Sequence, residues 1–521
     1  MSLALAALAV AACGTAASDP AGAAPGTLTY AVESDPACPD PQQAGSGVAV
    51  TIARQLADSL TDQDPATGKI VPWLASSWEV SRDATTFTFH LRSGVTFSDG
   101  SPLTAQSVKD NFGGIVTLGA KAVIGASFLA HYKDTVVLDP LTARVEFTQP
   151  SAQFLQASST VSLGLLAESS LAKPAGARCS SGVIGSGPFT LDHYTPNQEV
   201  VENRRAGYHW GSSLWSSSGP TSLSKLVFKI VPEQSVRTGS LESGQLDAIG
   251  DVQPGQEANL TSAGFTLQSR QDPGIVYSLT ANVSRPIDAD PAVRQAIQKA
   301  VDRKQIVNTV LSPYFKPATS ILATPTLDYT NLGADLTTDV AGAKTLLDQD
   351  GWLPGADGIR AKNGTRLALQ LNWFNTWAPQ QSVLELLQQQ LKAVGIEVDL
   401  KEYSVAQGLE AFKAGDYDLT FGSTSSPDPD TLRNYYTTDG LDAARLPAGQ
   451  LQTLLHAQSA DGDPAQRAKD VAQAQRLIVG NAYAIPIFES TSTIAESAQV
   501  HGVRFDASSH PIFHDATVTA K

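Results

Sequence analysis

Positive charge is scarce in this 521-residue chain: 36 Lys and Arg stand against 51 Asp and Glu, and the first basic residue is Arg54. The formal charge of −15 argues against a nucleic-acid partner and against adhesion to anionic lipid by charge alone. Cysteine is almost absent. The three present form no Cys-x-x-Cys pair, so zinc-ribbon and thioredoxin chemistry are not indicated. The eight histidines are scattered; His510 and His514 are four apart, but Pro511 between them argues against a helical metal pair. Walker loops, Gly-x-Ser-x-Gly elbows and His-Glu-x-x-His motifs are missing. No catalytic residue, metal or cofactor is therefore assigned, and the expectation is that the chain is not an enzyme. Beyond the N-terminal run, no stretch reads as apolar for long enough to span a bilayer.

What is present begins with the apolar run Leu3 to Ala12, which ends at Cys13. Val10-Ala11-Ala12-Cys13 resembles a bacterial lipobox, so residues 1–13 read as a lipoprotein signal segment with lipid carried on Cys13. Signal segments carry Lys or Arg ahead of the apolar run and this one has none, so either the start is truncated or initiation lies upstream. Residues 14–26, rich in Ala, Gly, Ser and Pro, read as a flexible tether. The body would then sit outside the cell, anchored to the outer face of the membrane. Its length predicts two or more domains. Cys38 and Cys179 remain as a pair, either joined in an oxidising space or two buried thiols. Joined, they would close a long loop worth roughly 4–5 kcal/mol.

Alternation of Phe87, Phe89 and Leu91 predicts a half-buried strand, and Thr27–Val32 another. Asp290 and Pro291 open a helix carrying Val293, Ile297 and Ala300. Further on, a strand at 366–371, a helix with a Ser382/Glu385 capping box, a strand at 396–400, a short helix and a strand at 417–421 follow in order. Such alternation predicts an α/β fold with an open sheet, where ligands sit beyond the carboxyl ends of strands. Two such ends are Asn372–Trp377 and Gly422–Asp430. The first offers Asn372 and the rings of Trp373, Phe374 and Trp377; the second offers Ser423, Thr424, Ser425 and Asp428.

Several stretches together resemble the family 5 extracellular solute-binding proteins of ABC importers. They are Pro72-Trp-Leu-Ala-Ser-Ser-Trp78, Phe87-Thr-Phe-His-Leu-Arg92, Phe97-Ser-Asp-Gly-Ser-Pro-Leu-Thr-Ala105, Ile184-Gly-Ser-Gly-Pro-Phe189, Val293-Arg-Gln-Ala296 with Ala300-Val-Asp-Arg303, and Asp416-Tyr-Asp418. The resemblance implies a two-lobed clamshell of the periplasmic-binding-protein type II kind. Its first lobe would comprise 27–48, 183–276 and 483–521, its accessory domain 49–182, and its second lobe 277–482. The hinge would lie near 274–281 and 480–487. Cys38 and Cys179 would both lie around the first lobe, which favours their pairing. Trp73, Trp78 and Phe97 are expected in the core, and Arg294 in an internal ion pair.

The resemblance further implies a monomeric binding component, handing a peptide or peptide-like solute to a membrane permease with its ATPase subunits. A metal–chelator complex, an oligosaccharide or an opine-like compound are alternative ligands. A sensory receptor or an extracytoplasmic hydrolase are alternatives of a different class. In dipeptide-binding relatives an Asp holds the ligand's amino group; aligned on Asp428-Pro-Asp430, Ser425 takes its place, and a neutral hydroxyl cannot supply that charge. The first lobe's expected contribution is the loop 33–42, with Glu33 and Asp35 facing a cationic group. Tyr435 and Tyr436 are expected at the rim or in the core.

Overall fold

The computed structural model describes residues 26–519 apart from 376 and 378. Cys13, the signal segment and nearly all of the tether lie outside these described residues. The chain builds two large sheets and a smaller one. The first has seven strands, in the order Thr266–Gln271, Thr491–Glu496, Ala248–Ile249, Thr27–Val32, Lys225–Ile230, Glu199–Arg204 and Phe189–Thr195. Thr27–Val32 lies inside it, parallel to both neighbours. Its residues serve both faces: Leu28, Tyr30 and Val32 join one core with Leu226 and Phe228, whereas Ala31 joins another with Leu241 and Ile249. A strand covered on both sides must be apolar throughout, as this one largely is.

The second sheet orders six strands as Lys316–Pro317, Ala484–Glu489, Gly274–Ala281, Leu419–Ser425, Ala368–Phe374 and Glu397–Tyr403. Helices Pro291–Ala300, Arg303–Val310 and Gln380–Lys392 cover it through Val293, Ile297, Ile306, Leu384 and Leu387. Asp290 caps the first of these by accepting from the Ala292 N–H at 3.0 Å, with Pro291 in the first turn. The third helix starts at Gln380, two residues before the expected capping box, so Ser382 lies inside its first turn instead of at the cap. Arg294 has no ion pair among the described residues; it donates to the carbonyls of Asp288, Ala289 and Asn481.

A four-stranded antiparallel sheet forms a third core, ordered Ala75–Val80, Thr86–Leu91, Thr142–Phe147 and Tyr132–Asp139. Phe87 and Phe89 point inward and meet Phe154 edge-on at 4.9 and 6.2 Å. The helical stretch Ala105–Phe128 has the length and mean hydropathy, 1.2, of a membrane span, which composition alone had not suggested. It is interrupted at Gly119, and Val108, Phe112 and Ile115 on its inner side pack into this third core.

Between the two large sheets the chain crosses at Asp272–Pro273 and again at Ser490. The strands Gly274–Ala281 and Ala484–Glu489 pair with each other in the second sheet. That differs from the expected edges of the second lobe at 277 and 482, because backbone pairing, not composition, decides to which sheet a connecting strand belongs. Cys38 and Cys179 are joined, with Cα atoms 4.6 Å apart. Beside them the Arg178 guanidinium holds Asp40 at 2.8 Å and Gln42 at 2.7 Å, and Gln42 donates on to Asn111.

Candidate functional site

A cleft with two compartments lies where the sheets face each other. The polar one, about 400 Å³, is lined by Glu33, Asp251, Gln253 and Thr493 from the first lobe and by Tyr277, Phe315 and Trp377 from the second. The other, about 510 Å³ and mostly apolar, runs toward the small sheet and touches Val50, Trp73, Ile124, Phe128, Val161 and Trp215. Gly47, Ser425, Phe505, Ser508 and His510 border both, so the compartments are contiguous.

Strand ends and turns supply the polar groups. Glu33 follows the first strand, and Asp251 follows Ala248–Ile249 through Gly250. A Cβ on Gly250 would come within 2.4 Å of the Tyr30 hydroxyl, so glycine lets that ring reach the cleft floor. Asp251 accepts from Gln253 Nε2 at 2.7 Å and from the buried Arg237 at 3.1 Å. Burial first, and then the nearby Glu33 charge, push its carboxyl up to about 6. Between the compartments, burial opposes charge on His510, but the Asp506 carboxylate outweighs it and holds the imidazole above its ordinary value. Arg54, on the apolar side, donates to Ser59 Oγ and the Ser159 carbonyl and lies over the Trp73 ring at 5.2 Å. Trp73 is thus both core, as expected, and cleft wall.

The second lobe contributes rings and one strand end. Tyr277 stacks on Phe488 at 4.7 Å and on Trp377 at 5.8 Å, an aromatic wall held from behind by Phe421. Ser425 reaches the cleft because its strand pairs with Gly274. At Gly274 φ is +112°, and a Cβ would lie 2.1 Å from the Thr424 carbonyl oxygen. Only glycine fits there.

The residues singled out from the sequence separate into two groups. Glu33, Trp377 and Ser425 line the cleft. The others are placed elsewhere. Asp35 is engaged by the Tyr194 hydroxyl and the backbone N–H groups of Asn197 and Ala37. Asn372 donates to the Asp416 carbonyl at 2.9 Å, Trp373 is in the second lobe's core, and Phe374 covers Gly408. Ser423 lies beside the Tyr277 hydroxyl, and Thr424 pairs across to Ile275. Asp428 is buried and grips Arg467 in a bidentate pair at 2.6 and 3.0 Å. Tyr435 and Tyr436 are core. Asp251, Gln253 and the hydroxyl run Ser490–Thr493 were missed. The strand-end rule applied to Ala248–Ile249 would have pointed to Asp251, but two residues of strand are too short to recognise by pattern.

Comparison with known proteins places this geometry. The model of the bacterial extracellular solute-binding proteins, family 5, matches residues 69–443. The nickel-binding periplasmic protein of Escherichia coli (strain K12) is 28% identical over 346 residues, covering 64% of this chain and 63% of that protein. The probable D,D-dipeptide-binding periplasmic protein DdpA of the same organism is 25% identical over 485 residues, covering 89% of this chain and 88% of that one. Among solved structures, NikA from Brucella suis in complex with Fe(III)-EDTA superposes with a TM-score of 0.81 at 24% identity, covering 95% of this chain and 100% of that one. The periplasmic murein tripeptide binding protein MppA, in its unliganded open form, superposes with a TM-score of 0.78 at 21% identity, covering 96% and 99%. Two lobes, an accessory sheet and a shared cleft are thus the architecture these structures share, and the family match over most of its length places the chain among the bacterial extracellular solute-binding proteins of family 5, which are binding proteins.

Proposed function

We propose that this chain is the solute-binding component of an ABC importer. It captures a peptide or peptide-like solute between its lobes and delivers it to a membrane permease with its ATPase subunits. It acts as a monomer held at the outer face of the membrane by lipid on Cys13. The observation that carries this reading is the cleft itself: first-lobe loops and second-lobe rings line one continuous space, while among the described residues the chain passes between the sheets only at Asp272–Pro273 and Ser490. A solute that touches both walls only when they approach favours the closed state by its differential contacts. Closure is then the signal a permease can read. The names of two relatives, a nickel-binding and a probable D,D-dipeptide-binding periplasmic protein, support a small solute; the cleft with its aromatic wall favours a peptide over a bare metal ion. Among the described residues no three His, Cys, Asp or Glu side chains converge to hold a metal.

Native mass spectrometry of protein purified without unfolding tests this by the mass of the solute retained. Ser425 offers a second test, because its side chain is exposed at the junction of both compartments. Ser425→Trp is expected to weaken solute binding by on the order of 100-fold, about 2.7 kcal/mol, with little change in melting temperature. Calorimetric titration would show it. Undiminished binding would separate the cleft from the function.

A further inference from the structure

The polar compartment carries more acceptors than its own donors satisfy. Among the described residues the Glu33 side chain makes no hydrogen bond or ion pair, although it lines the cleft. It stands near enough to Asp251 for its charge to disfavour that carboxylate's, and the Tyr30 hydroxyl lies within the field of both. A second observation is independent of the acids. Thr493, only 3% exposed, lines the same compartment with its hydroxyl unpartnered, and Gln253 Oε1 there also lacks a donor. A buried acceptor left without a donor costs about 1–3 kcal/mol. Carboxylates, a hydroxyl and an amide oxygen in one space call for a ligand rich in N–H groups and positively charged. Tyr277 and Trp377 close the opposite side with ring faces, which also favour a cation.

The adjoining compartment has the opposite character, with Val50, Ile124, Phe128 and Trp215 along its walls. The one guanidinium there that lies deep, Arg54, is already engaged by Ser59 and Ser159. We infer that the cleft selects an organic cation with an apolar body. The ammonium sits between Glu33 and Asp251, and the body passes Ser425 and His510 into the space beside the accessory sheet. This rests on the peptide reading above and adds to it an orientation and a charge requirement: the free amino end is held by the first lobe. The position that Ser425 leaves without a carboxylate in the second lobe is thereby replaced from across the cleft.

The test offers the full mature chain an equimolar library of two- to five-residue peptides built from Ala, Leu and Phe, one half of it N-acetylated. Captured members are identified by mass. Free-amine peptides containing Leu or Phe are expected to be captured at least tenfold over their acetylated counterparts, and Glu33→Gln should abolish that preference while the protein melts normally. Equal capture of both halves would overturn the inference and leave the peptide reading intact. Capture of all-Ala members ahead of Leu and Phe ones would overturn the placement of the body. Capture of nothing would overturn both readings.

The pH dependence gives a second readout. Arg237, Glu33 and Tyr30 face Asp251 from their own elements, and Asp272 and His510 lie across the compartment. With Asp251 raised to about 6, lowering the pH from 7 to 5 protonates it and should weaken cation binding by about tenfold. Asp251→Asn should flatten this slope and His510→Asn should leave it. A slope carried by His510 would assign the pH effect to the wrong group and overturn Asp251's role.

Discussion

Replacing Cys38 and Cys179 by alanine is expected to lower the unfolding free energy by about 5 kcal/mol, the largest single effect foreseen for this chain. The two residues are 141 apart in sequence, and a cross-link closing a loop of that size removes about that much conformational freedom from the unfolded chain. The folded side of the balance should change little. Arg178, Asp40 and Gln42 fasten the same loop through buried polar bonds that do not need the sulfurs. The variant should therefore fold into the same structure and unfold at lower denaturant. At two to four degrees per kcal/mol, its melting temperature should fall by on the order of 10 °C. Denaturant titration of the oxidised chain, the reduced chain and the variant would measure it. A loss below 1 kcal/mol would mean that the polar network alone closes the loop.

Arg467→Met is expected to cost about 3–5 kcal/mol, because it strands a buried carboxylate. Asp428 accepts from both guanidinium arms, and Arg467 Nε also donates to the carbonyl and Oε1 of Gln458 on the preceding helix, Gln450–Ala460. The reverse change, Asp428→Leu, strands the guanidinium instead and should cost a similar amount. The double variant should recover much of the loss, since replacing a buried ion pair by apolar groups of similar size is often close to neutral. Denaturant midpoints for the four proteins form a double-mutant cycle that measures the coupling. Solute affinity, taken well below the melting temperature, is expected to stay within about twofold of the parent for Asp428→Leu. Affinity lost with stability intact would return Asp428 to the ligand.

Asp428 also illustrates how far the sequence reaches. As an acid at the carboxyl end of a strand, it has the attributes of a ligand group, and nothing local distinguishes it from Ser425 three residues earlier. The distinction comes from Arg467, which lies 39 positions away and turns toward it from a helix. Trp373 and Trp377 divide in the same way. Four residues apart, one is packed under the sheet and the other stacks on Tyr277 in the cleft. Periodicity told where strands and helices run because alternation and the 3.6-residue repeat are local properties. It did not tell which face of a strand end meets the opposite lobe.

The amino-acid sequence by itself determined the alternating α/β organisation, the cap at Asp290 and the buried phenylalanines of the small sheet, each of which follows from residues that are close in sequence. It left Cys38 and Cys179 as either a pair or two thiols, and the tertiary structure joined them. The tertiary structure alone decided that Glu33, Asp251 and Thr493, drawn from three distant segments, share one compartment, and that Gly274 brings Ser425 to face it. A cleft between lobes is assembled from chain ends that only sheet pairing brings together, and that pairing is a property of the whole fold.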